Sequence, residues 1–204
     1  NLMPLAGDEA QNAVREGRGR ILATAGGYAY TAVNTGTFLD MLDREAVAFY
    51  LERSYGEMWR EFADEFGKTC VSVWVDEPSY SPRGLPWSRS LPGAFRRQWG
   101  YDLEPEAEAL FRDVPNCATV RYHYWRIVRE LLEHSYFVQV RDWCHAHGLL
   151  FSGHLMMEET LGSQLLRAGA TMPYYKYFDI PGIDVLTGET NWRFNPLPRR
   201  TPGV

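Results

Sequence analysis

The segment from Cys70 to Pro78 constrains the fold of this chain more than any other stretch. It reads Cys-Val-Ser-Val-Trp-Val-Asp-Glu-Pro, so an apolar run rich in β-branched residues stops at two adjacent carboxylates and a proline. Such a run is typical of a buried parallel strand, and Pro78 cannot continue the hydrogen-bonded ladder. We therefore expect a parallel strand that carries Glu77 at its carboxyl end, where α/β-barrel enzymes keep their chemistry.

The arrangement of helix, glycine, strand and acids occurs twice in the chain. A helical pattern over 43–66 ends at a glycine just before the first acidic strand. A longer helical pattern over 118–147 also ends at a glycine, and the apolar segment Leu149–His154 follows it and leads into a second pair of acids. Alternating helices and buried strands predict right-handed βαβ crossovers and a parallel sheet.

Two further segments are strand candidates, 20–25 and 182–186, and the second contains Asp184. The glycine-, tyrosine- and threonine-rich stretch 26–37 reads as a loop. A complete eightfold barrel contains eight strands and typically about 250 residues. We therefore predict an α/β fold, a partial (β/α)8 TIM barrel in which parallel strands alternate with long helices.

In this interpretation residues 1–204 form a single domain that is a fragment of a larger catalytic domain. Its core spans 20–187, and the proline-rich stretch 188–204 is an irregular tail. Further domains of a longer parent chain are then expected as partners.

Composition and net charge argue against some kinds of binding partner. A formal net charge of −5 argues against nucleic acid or an anionic membrane as the main partner, and no apolar run reaches the roughly 18 residues of a membrane span. No signal peptide is visible in the first residues. The 3 cysteines show no pairing motif and neither require nor exclude an oxidising compartment, so both cytoplasmic and secreted locations stay open.

Glu77 is the first candidate for chemistry, as a general acid that protonates the leaving oxygen of a glycoside. The alternative is a carboxylate that makes a salt bridge or caps a helix at a strand end. Successive side chains of a strand point to opposite faces, so Asp76 is expected to face away from the pocket that Glu77 enters. Asp76 would then orient a neighbour or bind a backbone amide.

The second acidic pair offers His154 together with Glu158 and Glu159. His154 and Glu158 are four residues apart and share a face if this stretch is helical. That spacing suits a metal site, a substrate clamp or a carboxylate oriented by histidine, with Glu159 as a further candidate. The alternative is a helix N-terminus carrying acids, which the helix dipole favours.

The serine-, proline- and glycine-rich loop after the first acidic strand carries Tyr80 and Trp87. Aromatic side chains there could stack on a sugar, or they could anchor the loop. No zinc-ligand spacing, nucleotide-binding glycine loop or Gly-x-Ser-x-Gly elbow is present.

Taken in order, a series of short motifs carries a family resemblance over about residues 38–187. They are Leu39–Leu42, Phe66–Thr69, Val75–Pro78, Trp87, Phe95, Gly100–Asp102, Tyr124–Trp125, Trp143–Cys144, His147–Gly148, Gly153–His154 with Glu158, and Pro181–Asp184. Together they resemble glycoside hydrolase family 106, the α-L-rhamnosidase-like enzymes and their uncharacterised relatives.

The resemblance implies a (β/α)8 catalytic domain in a large multidomain enzyme, hydrolysis by two carboxylates with inversion, and calcium near the sugar. Carried onto this chain, Glu77 matches the general acid, and Glu158 matches an acidic pocket position that binds calcium or sugar. The family pattern also implies a later strand bearing the general base, for which this chain has no counterpart after Asp184. If Glu158 is instead the partner of Glu77, the separation of the two carboxylates predicts inversion or retention.

The sequence therefore predicts a glycoside hydrolase with Glu77 and Glu158 as catalytic candidates and a carbohydrate as substrate. The substrate-contact candidates are Asp76, Tyr80, Trp87, His154, Glu159 and Asp184. One alternative is a metal-dependent hydrolase or isomerase acting on a sugar, with His154, Glu158 and Asp76 as ligands. Another is a carbohydrate-binding barrel fragment without catalysis.

Overall fold

A computed structural model describes residues 1–36, 39–80, 84–157 and 160–184 of the chain. The chain divides into two compact units. Unit 1 comprises Asn1–Asp43 and Ser81–Glu130, and unit 2 comprises Arg44–Tyr80 and the chain from Leu131 onward. None of the helices in the described ranges combines the length and apolar character that crossing a bilayer requires.

Unit 1 contains an antiparallel sheet whose strands are β1 (Leu2–Leu5), β2 (Gly19–Ala25) and β3 (Tyr28–Val33), in the order β1-β3-β2. Helix α1 (Gly7–Arg15) connects β1 to β2. The strand predicted over 20–25 is confirmed, but it belongs to this antiparallel sheet and not to the parallel one.

The loop predicted over 26–37 is wrong for Tyr28–Val33, which forms β3. Ala25 pairs with Tyr28 across a two-residue turn, and both turn residues, Gly26 and Gly27, have positive φ angles of 56° and 84°. Two consecutive residues with positive φ are the requirement of a tight hairpin turn that matches the strand twist. The two glycines therefore connect β2 and β3 directly.

Unit 2 contains a parallel sheet of β4 (Ser72–Asp76), β5 (Leu150–His154) and β6 (Ile180–Pro181), in that order. The strands predicted at 70–76 and 149–154 are thus confirmed as parallel neighbours. Of the strand predicted over 182–186, the part at 182–184 is wrong, because β6 ends at Pro181 and Asp184 follows it outside any strand. Residues 185 and 186 lie outside the described residues. The sheet with its helices is a mixed α/β structure, and the described residues do not close a barrel.

The helices assigned wholly or largely to unit 2 are α2 (Arg44–Arg53), α3 (Tyr55–Phe62), α6 (Val138–Ala146), α7 (Leu161–Ala168) and α8 (Met172–Tyr175). A single helix over 43–66 is wrong, because the chain breaks between α2 and α3. At the break the Ser54 hydroxyl donates a 2.6 Å hydrogen bond to the Tyr50 carbonyl. A serine that bonds back to the preceding turn in this way bends helices.

The long helix predicted over 118–147 is confirmed as a continuous helical segment with one irregularity. Unit 1 contributes α4 (Leu91–Trp99) and most of α5 (Cys117–Leu132), and α5 continues through a π turn at Glu133–Phe137 into α6. One row of buried positions recurs every fourth residue, at Val120, Tyr124, Val128, Leu132, Tyr136, Val140 and Cys144, and Ile127, Glu133, Ser135 and Phe137 are buried beside it.

Aromatic stacking fills the core beside the parallel sheet. The ring of Phe151 on β5 stacks on Phe178 with centroids 4.6 Å apart, and Phe137 stacks on Tyr174 at 4.5 Å. These four rings are buried. Burial of this apolar surface holds β5 in place and fixes the strand end that carries His154.

Candidate functional site

The candidate site begins where β4 ends. Asp76 is the last residue of the strand, and Glu77 follows with a φ angle of +51°. A positive φ is uncommon for a residue with a side chain, and such conformations cluster at functional sites. Strand alternation therefore stops at Asp76, and the prediction that Asp76 and Glu77 point away from one another is wrong. Both carboxylates approach the same histidine, His154.

Three residues meet at the carboxyl edge of the parallel sheet. Glu77 follows β4, His154 ends β5 and Asp184 follows β6, and one ligand atom from each lies within 4.8 Å of the others. The ends of parallel strands that point the same way meet at one edge of a sheet, which is where open α/β sheets bind ligands. The sequence singled out each of these residues, and the structure brings them together.

Asp76 and His154 are hydrogen-bonded across β4 and β5, with 3.0 Å between the carboxylate Oδ1 and the ring Nε2. His154 is only 7% exposed, whereas the Asp76 side chain is 80% exposed. An ionised carboxylate can only accept, so Nε2 donates, and in the neutral ring Nδ1 then carries a lone pair. Nδ1 is buried and has no hydrogen-bond partner among the described residues.

Two glycines allow the strands to approach so closely. Gly153 has a φ angle of +143°, and a side chain there would overlap the Val75 carbonyl oxygen on β4. Gly182 donates a 2.8 Å hydrogen bond to the Gly153 carbonyl, and a Cβ at Gly182 would lie 2.8 Å from the Trp74 ring. Larger residues at either position would separate the strand ends that hold Glu77, His154 and Asp184.

Asp179 fixes the start of β6 against β5. Its carboxylate accepts 2.8 Å hydrogen bonds from the Phe151 amide and from His145 Nε2, and its own amide donates to the Phe151 carbonyl. Partial burial raises the pKa of Asp179, but the hydrogen bonds from Phe151 and His145 outweigh it, so this pKa lies below its ordinary value. The ionised carboxylate is therefore part of the support for the site.

Trp74 is a site candidate that the sequence reasoning did not single out. Its side chain is 54% exposed, and its ring centroid lies 5.7 Å from that of His154. Strand alternation places Trp74 on the same face of β4 as Asp76, which is the signal that could have identified it. An exposed tryptophan beside polar groups is suited to stacking on the apolar face of a sugar ring.

The remaining candidates have different surroundings. Tyr80 is buried in unit 2, where its amide donates a 2.9 Å hydrogen bond to the Arg167 carbonyl. Trp87 is half-buried in unit 1. Contact of either ring with sugar stays a prediction.

Glu158 and Glu159 lie outside the described residues, so their catalytic, metal and substrate roles stay predictions. A helical pairing of His154 with Glu158 is wrong, because His154 ends a strand and Met156–Met157 form a turn, with a φ angle of +57° at Met157.

Calcium, which the family resemblance implies, does not suit the residues gathered here. Ca²⁺ takes six to eight oxygen ligands. The cluster offers two carboxylates and a ring nitrogen, a mixed donor set that favours transition metals. We therefore derive no calcium chemistry from these residues.

Comparison with known proteins finds a solved structure whose fold is similar to that of this chain. No protein-family model matches the chain, and no curated protein matches it. Among solved structures, the rhamnosidase from Novosphingobium sp. PP1Y superposes with a TM-score of 0.55 at 21% sequence identity. The match covers 79% of this chain and spans 15% of the length of the rhamnosidase.

Proposed function

We propose that this chain is part of a glycoside hydrolase catalytic domain and acts on a sugar at the carboxyl edge of the β4-β5-β6 sheet. The observation that carries the proposal is the position of Glu77. It follows β4 with a positive φ angle, and its carboxylate lies close to His154 and Asp184. The fold likeness to a rhamnosidase supports the same direction. The finer proposal is an α-L-rhamnosidase-like activity on a partial (β/α)8 barrel.

In this proposal Glu77 protonates the oxygen of the leaving group as the glycosidic bond breaks. Glu77 is half-buried, which leaves its carboxyl group partly accessible to substrate. Asp76 orients His154 through their 3.0 Å hydrogen bond, and His154 lies beside Glu77 and Asp184. Exposed Trp74 offers a ring on which the sugar can stack.

Asp184 is not suited to be the second carboxylate of an inverting pair. An inverting enzyme needs its carboxyl groups about 6.5–9.5 Å apart, so that a water molecule fits between them and the sugar. The ligand oxygens of Glu77 and Asp184 lie within 4.8 Å of one another. We propose that the water-activating carboxylate is Glu158 or a residue of a longer parent chain, and that Asp184 binds substrate.

The test is hydrolysis of aryl α-L-rhamnosides by the full 204-residue chain and its Glu77→Gln variant. Loss of a general acid lowers the rate by about 10²–10⁴-fold. The loss should be larger for a phenyl than for a dinitrophenyl leaving group, because the dinitrophenolate needs no proton. Glu57→Gln is the matched control, since Glu57 is an exposed acid on α3 of the same unit.

Two outcomes contradict the proposal. Equal turnover by wild type and Glu77→Gln would remove Glu77 as the acid. Sugar binding by a wild-type chain that cleaves none of these substrates would favour the carbohydrate-binding module in place of the enzyme.

A further inference from the structure

We propose that Glu77, His154 and Asp184 form a binding site for a divalent transition-metal ion such as Zn²⁺, with Asp76 orienting the histidine. The site shares Glu77, His154 and Asp184 with the proposed hydrolysis. It does not depend on that function, because metal binding can be measured without substrate.

The first support is the placement of the three donors. Their ligand atoms lie within 4.8 Å of one another, each at the end of a different strand of one sheet. Two ligands of the same Zn²⁺ lie at most about 4.4 Å apart, and about 3.4 Å apart at a tetrahedral angle, since each bond is about 2.0–2.2 Å long. Small rotations of the two half-buried carboxylates would bring all three donors onto one ion.

The second support is independent of the cluster and comes from the histidine ring. Nδ1 of His154 is buried without a hydrogen-bond partner among the described residues, and the ring is 7% exposed. Buried polar atoms rarely lack a partner, and a cation is a natural partner for this lone pair. Metal binding through Nδ1 would leave Nε2 to donate to Asp76, which is the arrangement usual for histidines that bind metals.

The donor chemistry selects the class of ion. One imidazole nitrogen with two carboxylates suits Zn²⁺, Mn²⁺, Fe²⁺ or Co²⁺, whereas Ca²⁺ and Mg²⁺ prefer oxygen ligands and water. Three protein ligands leave at least one coordination position for water or a sugar hydroxyl. Because a carboxylate bound to metal cannot also donate a proton, Zn²⁺ is expected to inhibit hydrolysis that uses Glu77 as the acid.

The test is equilibrium dialysis of the full 204-residue chain against Zn²⁺ at pH 7, with Co²⁺ absorption spectra to identify the ligands. We expect one Zn²⁺ per wild-type chain and a Co²⁺ spectrum without thiolate charge-transfer bands. His154→Gln and Asp184→Asn should each weaken binding at least about tenfold, and Asp76→Asn should weaken it about 10–100-fold. His134→Gln is the control, because His134 is exposed on the π turn and outside the cluster.

The inference is overturned if the wild type binds no Zn²⁺, if His154→Gln binds as tightly as His134→Gln, or if millimolar Ca²⁺ displaces the ion. Circular dichroism establishes that each variant folds, and Glu77→Gln replaces His154→Gln if the latter does not. Zn²⁺ binding without glycoside turnover would support this inference and remove only the proposed function. Glycoside turnover without Zn²⁺ binding would support the proposed function and overturn only the metal site.

Discussion

Asp76 and His154 are opposite one another in the parallel register of β4 and β5, and their side chains share a 3.0 Å hydrogen bond. The exposed carboxylate thereby fixes a histidine that is almost completely buried. The hydrogen bond requires this register. If β5 slipped by one residue against β4, the His154 side chain would move to the other face of the sheet, away from Asp76.

Removing the Asp76 carboxylate should destabilise the chain modestly. Asp76→Ala leaves both nitrogens of His154 without a partner among the described residues, and we expect the free energy of unfolding to fall by about 0.5–1.5 kcal/mol. Urea denaturation measures the change. Asp142→Ala, which removes an exposed carboxylate beside Arg141, should stay within about 0.5 kcal/mol of wild type. Equal effects of the two variants would contradict a special role for the Asp76–His154 pair.

Trp74→Ala tests the exposed ring beside the site. If a sugar stacks on Trp74, its loss should weaken binding of the substrate up to about tenfold. Binding can be measured by titration calorimetry with an unreactive glycoside. Phe49→Ala removes another exposed ring, at 69% exposure on α2, and should leave sugar affinity unchanged. Identical affinities for wild type and Trp74→Ala would exclude the stacking role.

Gly153→Ala should disrupt the parallel sheet. The new methyl group would overlap the Val75 carbonyl, and the φ angle of +143° suits only glycine. We expect a loss of at least about 3 kcal/mol in the free energy of unfolding. Gly148→Ala is the control, because its φ is also positive but a Cβ there meets nothing within 4 Å, so its cost should be about 1 kcal/mol. Thermal and urea denaturation compare the two.

Asp179 makes part of the stability depend on pH. Because its pKa is lower in the folded chain than its ordinary value, its contribution to stability is present above about pH 4 and is lost as the pH falls through the folded-state pKa. Asp179→Asn should therefore be less stable than wild type at pH 7, and the gap should close in acid. Urea midpoints across this range test it. A gap of constant size down to pH 2 would contradict the expectation.

Cys144 should be unreactive in the folded chain. Burial raises the pKa of this thiol to about 12, and a buried thiol with little thiolate reacts slowly. Ellman's reagent should therefore label half-buried Cys70 and Cys117 in the native chain and reach Cys144 only after unfolding. In the Cys144→Ala variant, the labelling that requires unfolding should be lost, and the labelling of the native chain should be unchanged. Rapid native labelling of three thiols would contradict the buried position of Cys144.

The parallel strands could be predicted because their cause is local. The apolar run before Asp76 and the proline after Glu77 define where β4 ends. The hairpin at Gly26–Gly27 also has a local signal, since two glycines can take the positive φ angles of its turn.

The arrangement of the site depends on geometry that the sequence does not state locally. Strand alternation says nothing about Glu77 once the chain leaves the strand with a positive φ. Asp184 reaches the cluster only because the chain returns after α8 and pairs Gly153 with Pro181. That pairing depends on distant contacts, including the hydrogen bonds between Asp179 and Phe151. The sequence therefore offers Glu77 and Asp184 as candidates but does not predict that they meet.

The π turn at Glu133–Phe137 sets the rotational phase of α6. Each residue of a helix turns the chain by about 100°, and a π turn inserts an additional residue into the α-helical pattern. Deleting one residue from this turn would rotate Val140 and Cys144, both now fully buried, by about a quarter of a revolution toward solvent. The number of residues in this turn therefore determines which side of α6 is buried. Insertions or deletions there should destabilise the chain far more than substitutions.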